Sequence, residues 1–230
     1  MKHFIFACCL FSTLGVSAQA VYSPSQSNAF RPLFNKKDLA GWYTFLPSKG
    51  KNNDPEKVFA VQKGMLHISG KEFGYMATNK VYQNFHLVVE FKWGVKKYPP
   101  RDADTTKRDN GICFHLPVVT KDTVWPRSIE CQIQEGDVGD IWLIGGATVE
   151  VDGQRTVPMD YLRVQKKTDS ERKTGEWNKV EILVNNGIIQ YTVNGTVVNT
   201  ASQPDPPKGR ILIQSEGAEI YYRNIVLAEL

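Results

Sequence analysis

Apolar and polar residues alternate most clearly in two neighbouring stretches of the chain, 109–116 and 128–134. Successive side chains of an extended strand point to opposite faces, so this alternation predicts a hairpin with one core face and one polar face. The core face would carry Ile112, Phe114, Leu116, Ile129, Cys131 and Ile133, and the other face Gly111, Cys113, His115, Ser128, Glu130, Gln132 and Gln134. A solvated strand face more often carries Lys, Thr and Ser. We therefore interpret the polar face as a candidate binding surface.

The rest of the chain also predicts β-structure. Residues 85–93 alternate cleanly, and residues 180–198 read as a three-stranded meander. The meander contains two Asn-Gly pairs, at 186–187 and 194–195, which supply the positive φ angles that tight hairpin turns require. No stretch keeps helical periodicity beyond two turns. Many short strands separated by turn signals predict an all-β sandwich or barrel.

The first 20 residues have the pattern of a secretory signal peptide. Lys2 precedes an apolar run, residues 4–16, and an Ala-Gln-Ala cleavage signature ends at Ala20. The run is shorter than the roughly 20 residues of a membrane-spanning helix. We expect cleavage after Ala20 and export to the periplasm, cell surface or medium; a lipidated Cys8 is the less favoured alternative. Residues 21–29 would be a short lead-in and 30–230 a single domain.

Charge and cysteine content narrow the choice of partners. The 230 residues contain 28 Lys and Arg against 24 Asp and Glu, without the basic stripe that follows a nucleic-acid backbone. We expect no nucleic-acid partner, no membrane span and no obligate protein partner. Cys113 and Cys131 remain after signal cleavage. Because the hairpin places them on opposite faces, we expect two free thiols rather than a disulfide.

The polar face offers several kinds of chemistry. A retaining glycosidase needs two carboxyl groups about 5 Å apart, but the neighbours of Glu130 on its strand face are amides. A lone Glu beside His115 suits proton abstraction better. A divalent metal held by His115, Glu130, Asp109, Asp137 and Asp140 stays open, although no ligand motif supports it and no cofactor is certain. Cys113 beside His115 is more simply a packing thiol than a nucleophile.

Several sequence blocks together resemble one known family, the 3-keto-disaccharide hydrolase domains. The blocks are LFNKKDLAGW (33–42), NFHLVVEFK (84–92), DNGI (109–112), ECQI (130–133), GEWN (175–178), VNG (193–195), IQSEG (213–217) and YRNI (222–225). The resemblance implies a concanavalin A-like jelly-roll β-sandwich, with two antiparallel sheets and a concave binding face, in an exported bacterial protein. Two positions depart from the family pattern: Asp109-Asn110 replaces Asn-Ser, and His115 stands where arginine is frequent.

The resemblance also implies a reaction and a carbohydrate or glycoside substrate. A base removes the C2 proton of a 3-keto sugar, the C1 substituent is eliminated, and water adds back. The base would be Glu130 or His115, with Lys92 or a metal stabilising the enolate. Substrate-binding candidates are Gln132, Gln134, Gln214, Asp109, Glu90 and Trp125, the last expected to stack on a sugar ring. The alternatives are a non-catalytic glycan-binding module and a retaining glucanase with a second carboxylate beside Glu130.

Overall fold

A computed structural model describes residues 29–118 and 122–230, and these residues form two antiparallel β-sheets without any helix. The all-β expectation is confirmed. The signal peptide and most of the lead-in lie outside the described residues. Within these residues, no helix has the length and hydrophobicity that crossing a membrane would require.

The first sheet has ten strands, and β7 and β18 lie at its centre. Its strands run in the order β12, β11, β16, β15, β14, β7, β18, β5, β4, with β1 also paired to β18. They are β1 (Arg31–Pro32), β4 (Phe59–Gln62), β5 (Met65–Ile68), β7 (Phe85–Lys97), β11 (Thr148–Val151), β12 (Gln154–Arg155), β14 (Asn178–Asn185), β15 (Ile188–Val193), β16 (Thr196–Asp205) and β18 (Ala218–Glu229).

The second sheet has eight strands and contains the predicted hairpin. Its strands run in the order β13, β10, β9, β8, β17, β6, β2, β3. They are β2 (Trp42–Leu46), β3 (Gly50–Lys51), β6 (Gly74–Thr78), β8 (Gly111–Leu116), β9 (Ser128–Gln132), β10 (Ile141–Ile144), β13 (Tyr161–Val164) and β17 (Arg210–Ser215).

The main hydrophobic core lies between the two sheets. The alternating apolar residues of β7 meet the apolar face of β8, β9 and β17, and Phe85 contacts Phe114 edge to face with ring centroids 5.8 Å apart. The meander β14–β15–β16 is confirmed, with positive φ angles at Asn186, Gly187, Asn194 and Gly195. Such angles fit the tight hairpin turns expected of Asn-Gly pairs.

The predicted hairpin is confirmed, with a correction at its end. β8 pairs antiparallel with β9 in the register Gly111–Gln132 and Cys113–Glu130. A β-bulge then interrupts the pairing of β8 with β17, and His115 takes a positive φ of 58° there. A bulge adds one residue to one strand and so shifts the side-chain alternation. Leu116 consequently lies outside the main core, contrary to the expectation from simple alternation.

A second apolar cluster covers the outer face of the eight-stranded sheet. Its buried members are Tyr43, Tyr75, Ala77, Cys113, Leu116, Ile144 and Leu212. Asp122, in the segment between β8 and β9, accepts hydrogen bonds from the hydroxyls of Tyr43 (3.0 Å) and Tyr75 (2.5 Å). Every residue of β8 and β9 is therefore buried. Cys113 belongs to this cluster and Cys131 to the main core, and both are free thiols as expected.

One buried polar contact joins the two sheets. Asn110, directly before β8, donates to the backbone carbonyl of Gln214 (2.6 Å) and accepts from the hydroxyl of Tyr222 on β18 (2.6 Å). Neither Asn110 nor Tyr222 is exposed. The residue thus fixes the start of β8 against both β17 and the opposite sheet.

Replacing Asn110 should destabilise the protein measurably. Asn110→Ala leaves the buried Tyr222 hydroxyl without a partner, and such a loss costs about 1–3 kcal/mol in the free energy of unfolding. Urea denaturation provides the measurement. Tyr222→Phe is the matched control, and the double variant should cost less than the sum of the two single variants. A cost below about 0.5 kcal/mol for Asn110→Ala would show that the contact contributes little.

Candidate active site

The strand register brings several sequence-predicted residues together on the outer face of the eight-stranded sheet. Residues directly opposite each other in an antiparallel pair project to the same face. Glu130 of β9 lies opposite Cys113 of β8, and Gln132 lies opposite Gly111. On the other side of β8, the register with β17 brings Gln214 alongside Gly111. Glu130 and Gln214 therefore approach each other across the central strand β8.

Gly111 makes this approach possible. A Cβ atom at residue 111 would lie 1.8 Å from Glu130 Oε1 and 2.2 Å from Gln214 Oε1. Both distances are far shorter than any van der Waals contact, so the two side chains occupy the space that any other residue would fill. The glycine in the middle of the sheet thus permits side chains from the two flanking strands to meet.

Two further carboxyl groups lie near Glu130. Asp109 comes two residues before β8, and Glu216 directly follows β17. All three side chains are buried, with 5% of Asp109, 5% of Glu130 and 8% of Glu216 exposed. Sequence analysis listed Asp109 as a binding residue but missed Glu216, although Glu216 continues the outward alternation of Arg210, Leu212 and Gln214.

Burial raises the pKa values of all three carboxyl groups, and repulsion from a neighbouring carboxylate adds to each shift. Desolvation is the largest cause in each case. The pKa of Glu130 rises well above its usual range, with the charges of Glu216 and Asp109 adding to the effect. The pKa of Glu216 rises to about 7 because of burial and the Asp109 charge, opposed by the Trp125 N–H and the Arg101 charge. Burial therefore favours the protonated form of Glu130, whereas Glu216 titrates near neutral pH.

Arg101 supplies the positive charge of the cluster. It lies in the loop between β7 and β8, which is basic and proline-containing, and forms an ion pair with Asp109 Oδ2. Gln134 donates to the same oxygen from Nε2 at 2.7 Å. Arg101 was not among the site residues predicted from the sequence, because spacing alone gives no indication that a loop residue returns to the sheet.

Some buried atoms of the cluster have no hydrogen-bond partner. They are Asp109 Oδ1, Gln214 Oε1 and Arg101 Nε. Buried polar atoms are nearly always paired in proteins, so unpaired ones at a candidate site are places where a ligand atom can bind. Two acceptors and one donor are thus available beside Glu130 and Glu216.

Trp125 covers Glu216 at the edge of the cluster. Its indole N–H donates to Glu216 Oε1 at 2.6 Å. The ring contacts Phe73 and Tyr161 edge to face, with centroid distances of 5.9 and 6.4 Å. Trp125 is 37% exposed, whereas the carboxyl groups beneath it are buried. These three aromatic rings form the solvent-facing side of the candidate site.

His115 does not belong to this site, contrary to the sequence-based expectation. At the bulge its ring turns away from Glu130 and Gln132. Its Nδ1 lies 2.9 Å from the Pro206 carbonyl oxygen and its Nε2 3.1 Å from the Gln83 carbonyl oxygen. The ring also packs against Phe85 and Phe114, which are core residues. Burial lowers the pKa of His115. Both ring nitrogens face backbone carbonyls, so His115 has a structural role here.

Lys92 and Glu90 also lie away from Glu130. Both project from β7, whose alternate residues fill the core, onto the outer face of the ten-stranded sheet. Lys92 Nζ lies 5.2 Å from the ring centroid of Trp177, and Glu90 pairs with Arg223 at 2.5 Å. The prediction was wrong about their location because alternation assigns the faces of a strand but not the sheet to which it belongs.

The side-chain amides of Gln132, Gln134 and Gln214 have different partners. Gln132 Oε1 accepts hydrogen bonds from the backbone N–H groups of Ile133 and Gln134, at 2.9 and 3.1 Å, and so shapes the chain after β9. The Gln134 side chain contacts Asp109, as described above. Gln214 alone has a carbonyl oxygen that faces Glu130 without a partner.

The residues considered for a metal are dispersed. Asp137 and Asp140 pair with Arg163 rather than with Glu130, and His115 points elsewhere. Within residues 29–118 and 122–230, no group of three or more His, Cys, Asp or Glu side chains is placed to hold a metal ion.

The amino-acid sequence matches a known protein family over most of its length. The model of the 3-keto-alpha-glucoside-1,2-lyase-like domain matches residues 29–228. The chain belongs to this family. The membership supports a carbohydrate-active role of the hydrolase or lyase type. Among proteins with curated functions, no match was found.

Solved structures share the jelly-roll fold. A candidate glycosyl hydrolase from Parabacteroides distasonis has 19% identity and a TM-score of 0.61, covering 87% of this chain and 94% of its own. LamA from Zobellia galactanivorans, in complex with laminaritriose and laminaritetraose, has 12% identity and a TM-score of 0.58 (89% and 100% covered). The carbohydrate-binding module CBM66 from Bacillus subtilis has 8% identity and a TM-score of 0.56 (83% and 97% covered). The expected concanavalin A-like architecture is thereby confirmed.

The raised pKa of Glu216 should make folding stability depend on pH. A carboxyl group whose pKa is higher in the folded state stabilises the fold below its unfolded pKa of 4.5, and this stabilisation is lost as the pH rises through about 7. Relative to Glu216→Gln, the wild-type protein should lose up to about 3 kcal/mol of unfolding free energy over that range. Urea denaturation at a series of pH values measures the difference. Glu56→Gln, at an exposed position, is the control and should run parallel to wild type. Parallel curves for wild type and Glu216→Gln would contradict the burial of a titrating carboxyl group.

Proposed function

We propose that this protein hydrolyses 3-keto glycosides by proton abstraction at C2, elimination of the C1 substituent and addition of water. The observation that carries the proposal is the pair Glu130 and Glu216, two buried carboxyl groups on one sheet face with different raised pKa values. Such a pair provides an acid and a base at neutral pH. Family membership supplies the substrate class.

The chemistry of a 3-keto sugar suits this pair. The C3 carbonyl acidifies the C2 proton, because the electron pair left on C2 is delocalised into the carbonyl as an enolate. When the carbonyl re-forms, a C1–C2 double bond forms and the C1–O bond breaks. The leaving alkoxide takes a proton, and water then adds at C1. The net reaction is hydrolysis of the glycosidic bond.

Each of the two carboxyl groups, Glu130 and Glu216, is assigned one proton-transfer step. Glu216, with a pKa of about 7, is the base that removes the C2 proton. Burial favours the protonated form of Glu130, and this carboxyl group donates a proton to the leaving oxygen. We therefore assign the base to Glu216 rather than to Glu130 or His115, the two candidates from the sequence. The buried ring of His115 takes no part.

Arg101 and the unpaired acceptors supply the remaining interactions. The Arg101 guanidinium, paired with Asp109, is the cation that stabilises the enolate oxygen in place of Lys92. Gln214 Oε1 and Asp109 Oδ1 accept hydrogen bonds from sugar hydroxyls. The substrate enters on the side of Trp125, whose indole turns away from Glu216 and stacks on the sugar.

A second candidate function is a conventional retaining glucanase. It is favoured by the carboxyl groups of Asp109 and Glu216 near Glu130, which supply the second acid that the strand sequence alone lacked. Export is part of the proposal in either case. It is supported by the signal-like residues 1–20, which lie outside the described part of the chain.

Substituting either carboxyl group should abolish most turnover. Glu130→Gln and Glu216→Gln should each lower kcat on a 3-keto glucoside by about 10²–10⁴, the usual contribution of a general acid or base. Wild-type kcat/KM should rise with pH through about 7 as Glu216 ionises, and this rise should be absent in Glu216→Gln. Sugar release is assayed against the exposed control Glu176→Gln, which should match wild type.

Three results would reject the 3-keto mechanism. Unchanged turnover in Glu130→Gln would remove the acid assignment. Cleavage of laminari-oligosaccharides without a 3-keto group would favour the retaining glucanase. Sugar binding without cleavage of either substrate by the wild-type protein would favour a glycan-binding module.

A further inference from the structure

A second cleft lies on the outer face of the ten-stranded sheet, on the side opposite the carboxyl cluster. It has a volume of about 380 Å³ and is lined by Glu90, Arg172, Trp177, Lys179, Asn194 and Arg223. The proposed reaction uses none of these residues. Gly195, also in the lining, has no atom within 4 Å of its Cβ position, so this end of the cleft is open.

The cleft carries an excess of positive charge. Arg223 is neutralised by Glu90 (2.5 Å), and Lys179 by Glu181 (2.6 Å). The neighbouring cations Arg172 and Lys92 form no ion pair with any carboxylate in the described part of the chain. Two positive charges therefore remain available to an anionic ligand.

A hydrogen-bond network holds Arg172 in place. Its backbone N–H donates to Asn178 Oδ1 at 2.8 Å, and its Nη1 donates to the Trp177 carbonyl at 3.1 Å. Asn178 is 1% exposed and also accepts from Asn194 Nδ2 at 2.8 Å. Because the guanidinium is exposed and pre-positioned, little conformational entropy is lost when it binds a ligand.

Trp177 organises the other cations. The Arg223 guanidinium lies 3.9 Å from its ring centroid, and Lys92 Nζ lies 5.2 Å away, both within the range of cation–π contacts. The indole thereby keeps two cations on the same side of the sheet as Arg172. The result is a cationic cleft in which two of the cations lie against the Trp177 ring.

We propose that this cleft binds a uronic acid unit of an acidic glycan. A guanidinium pairs with a carboxylate through two parallel hydrogen bonds, which fits the sugar carboxylate to Arg172. Lys92, held against the Trp177 ring, adds a second positive charge. The site is separate from the carboxyl cluster and would attach the protein to an acidic polysaccharide while the other sheet remains free.

Isothermal titration of the full mature chain with tetragalacturonate tests the proposal. We expect binding of tetragalacturonate, and none of the neutral cellotetraose. Arg172→Gln should weaken tetragalacturonate binding at least tenfold, and Arg172→Lys, which loses the bidentate geometry, should weaken it less. Lys49→Gln removes an exposed charge from the other sheet and is the matched control.

Several outcomes would overturn the proposal. Equal affinity for inorganic sulfate and tetragalacturonate would indicate a simple anion site. If Lys49→Gln weakened tetragalacturonate binding as much as Arg172→Gln, the attraction would be nonspecific. Absence of binding to wild type would also reject it. Cleavage of the 3-keto glucoside is measured on the same variants. A loss of cleavage in Arg172→Gln parallel to the loss of binding would show that the two sites are not separate.

Discussion

Glu130 lies on a strand that is covered on both faces, and the cost of removing its charge from water dominates the candidate site. The main core covers one face of β9, and every residue of β9 is buried, including those on its outer face beside Cys113 and Ile144. Burying a carboxylate costs free energy unless it is paired, so burial raises the pKa of Glu130 and favours its protonated form. Asp109 and Glu216 add repulsion to the same effect. Three carboxyl groups thus share one small volume because not all of them are charged at once.

Neighbouring residues determine which of the three carboxyl groups is ionised. Arg101 pairs with Asp109, and the Trp125 N–H donates to Glu216. Each interaction favours the ionised form of its partner, whereas Glu130 receives no comparable stabilisation. Both pKa values are raised, that of Glu216 to about 7, and neighbouring carboxyl groups tuned in this way suit acid–base chemistry. Gly111 is part of this arrangement because only a residue without a side chain lets Glu130 and Gln214 meet.

Much of the fold and part of the candidate site could be predicted from the sequence, and the wrong predictions have identifiable physical causes. Alternation correctly placed Glu130 and Gln132 outward and Cys131 inward, because β9 is regular. It failed at His115 and Leu116, where a bulge shifts the alternation and nothing in the local pattern signals it. It assigned Lys92 and Glu90 to the correct face of β7 but to the wrong side of the protein. Glu216 continues the alternation of β17, but the alternation does not show which strand lies beside it. Arg101 lies in a loop, and only the folded chain shows that it approaches Asp109.

The protonation state of Glu130 tests the account most directly. ¹³C NMR of the Glu130 side-chain carboxyl carbon, assigned by comparison with Glu130→Gln, reports ionisation as a change in chemical shift. We predict the chemical shift of a neutral carboxylic acid for Glu130 at pH 7, and a transition near pH 7 for Glu216. A Glu130 carbon that titrates near 4.5, the value of a solvated glutamate, would contradict it.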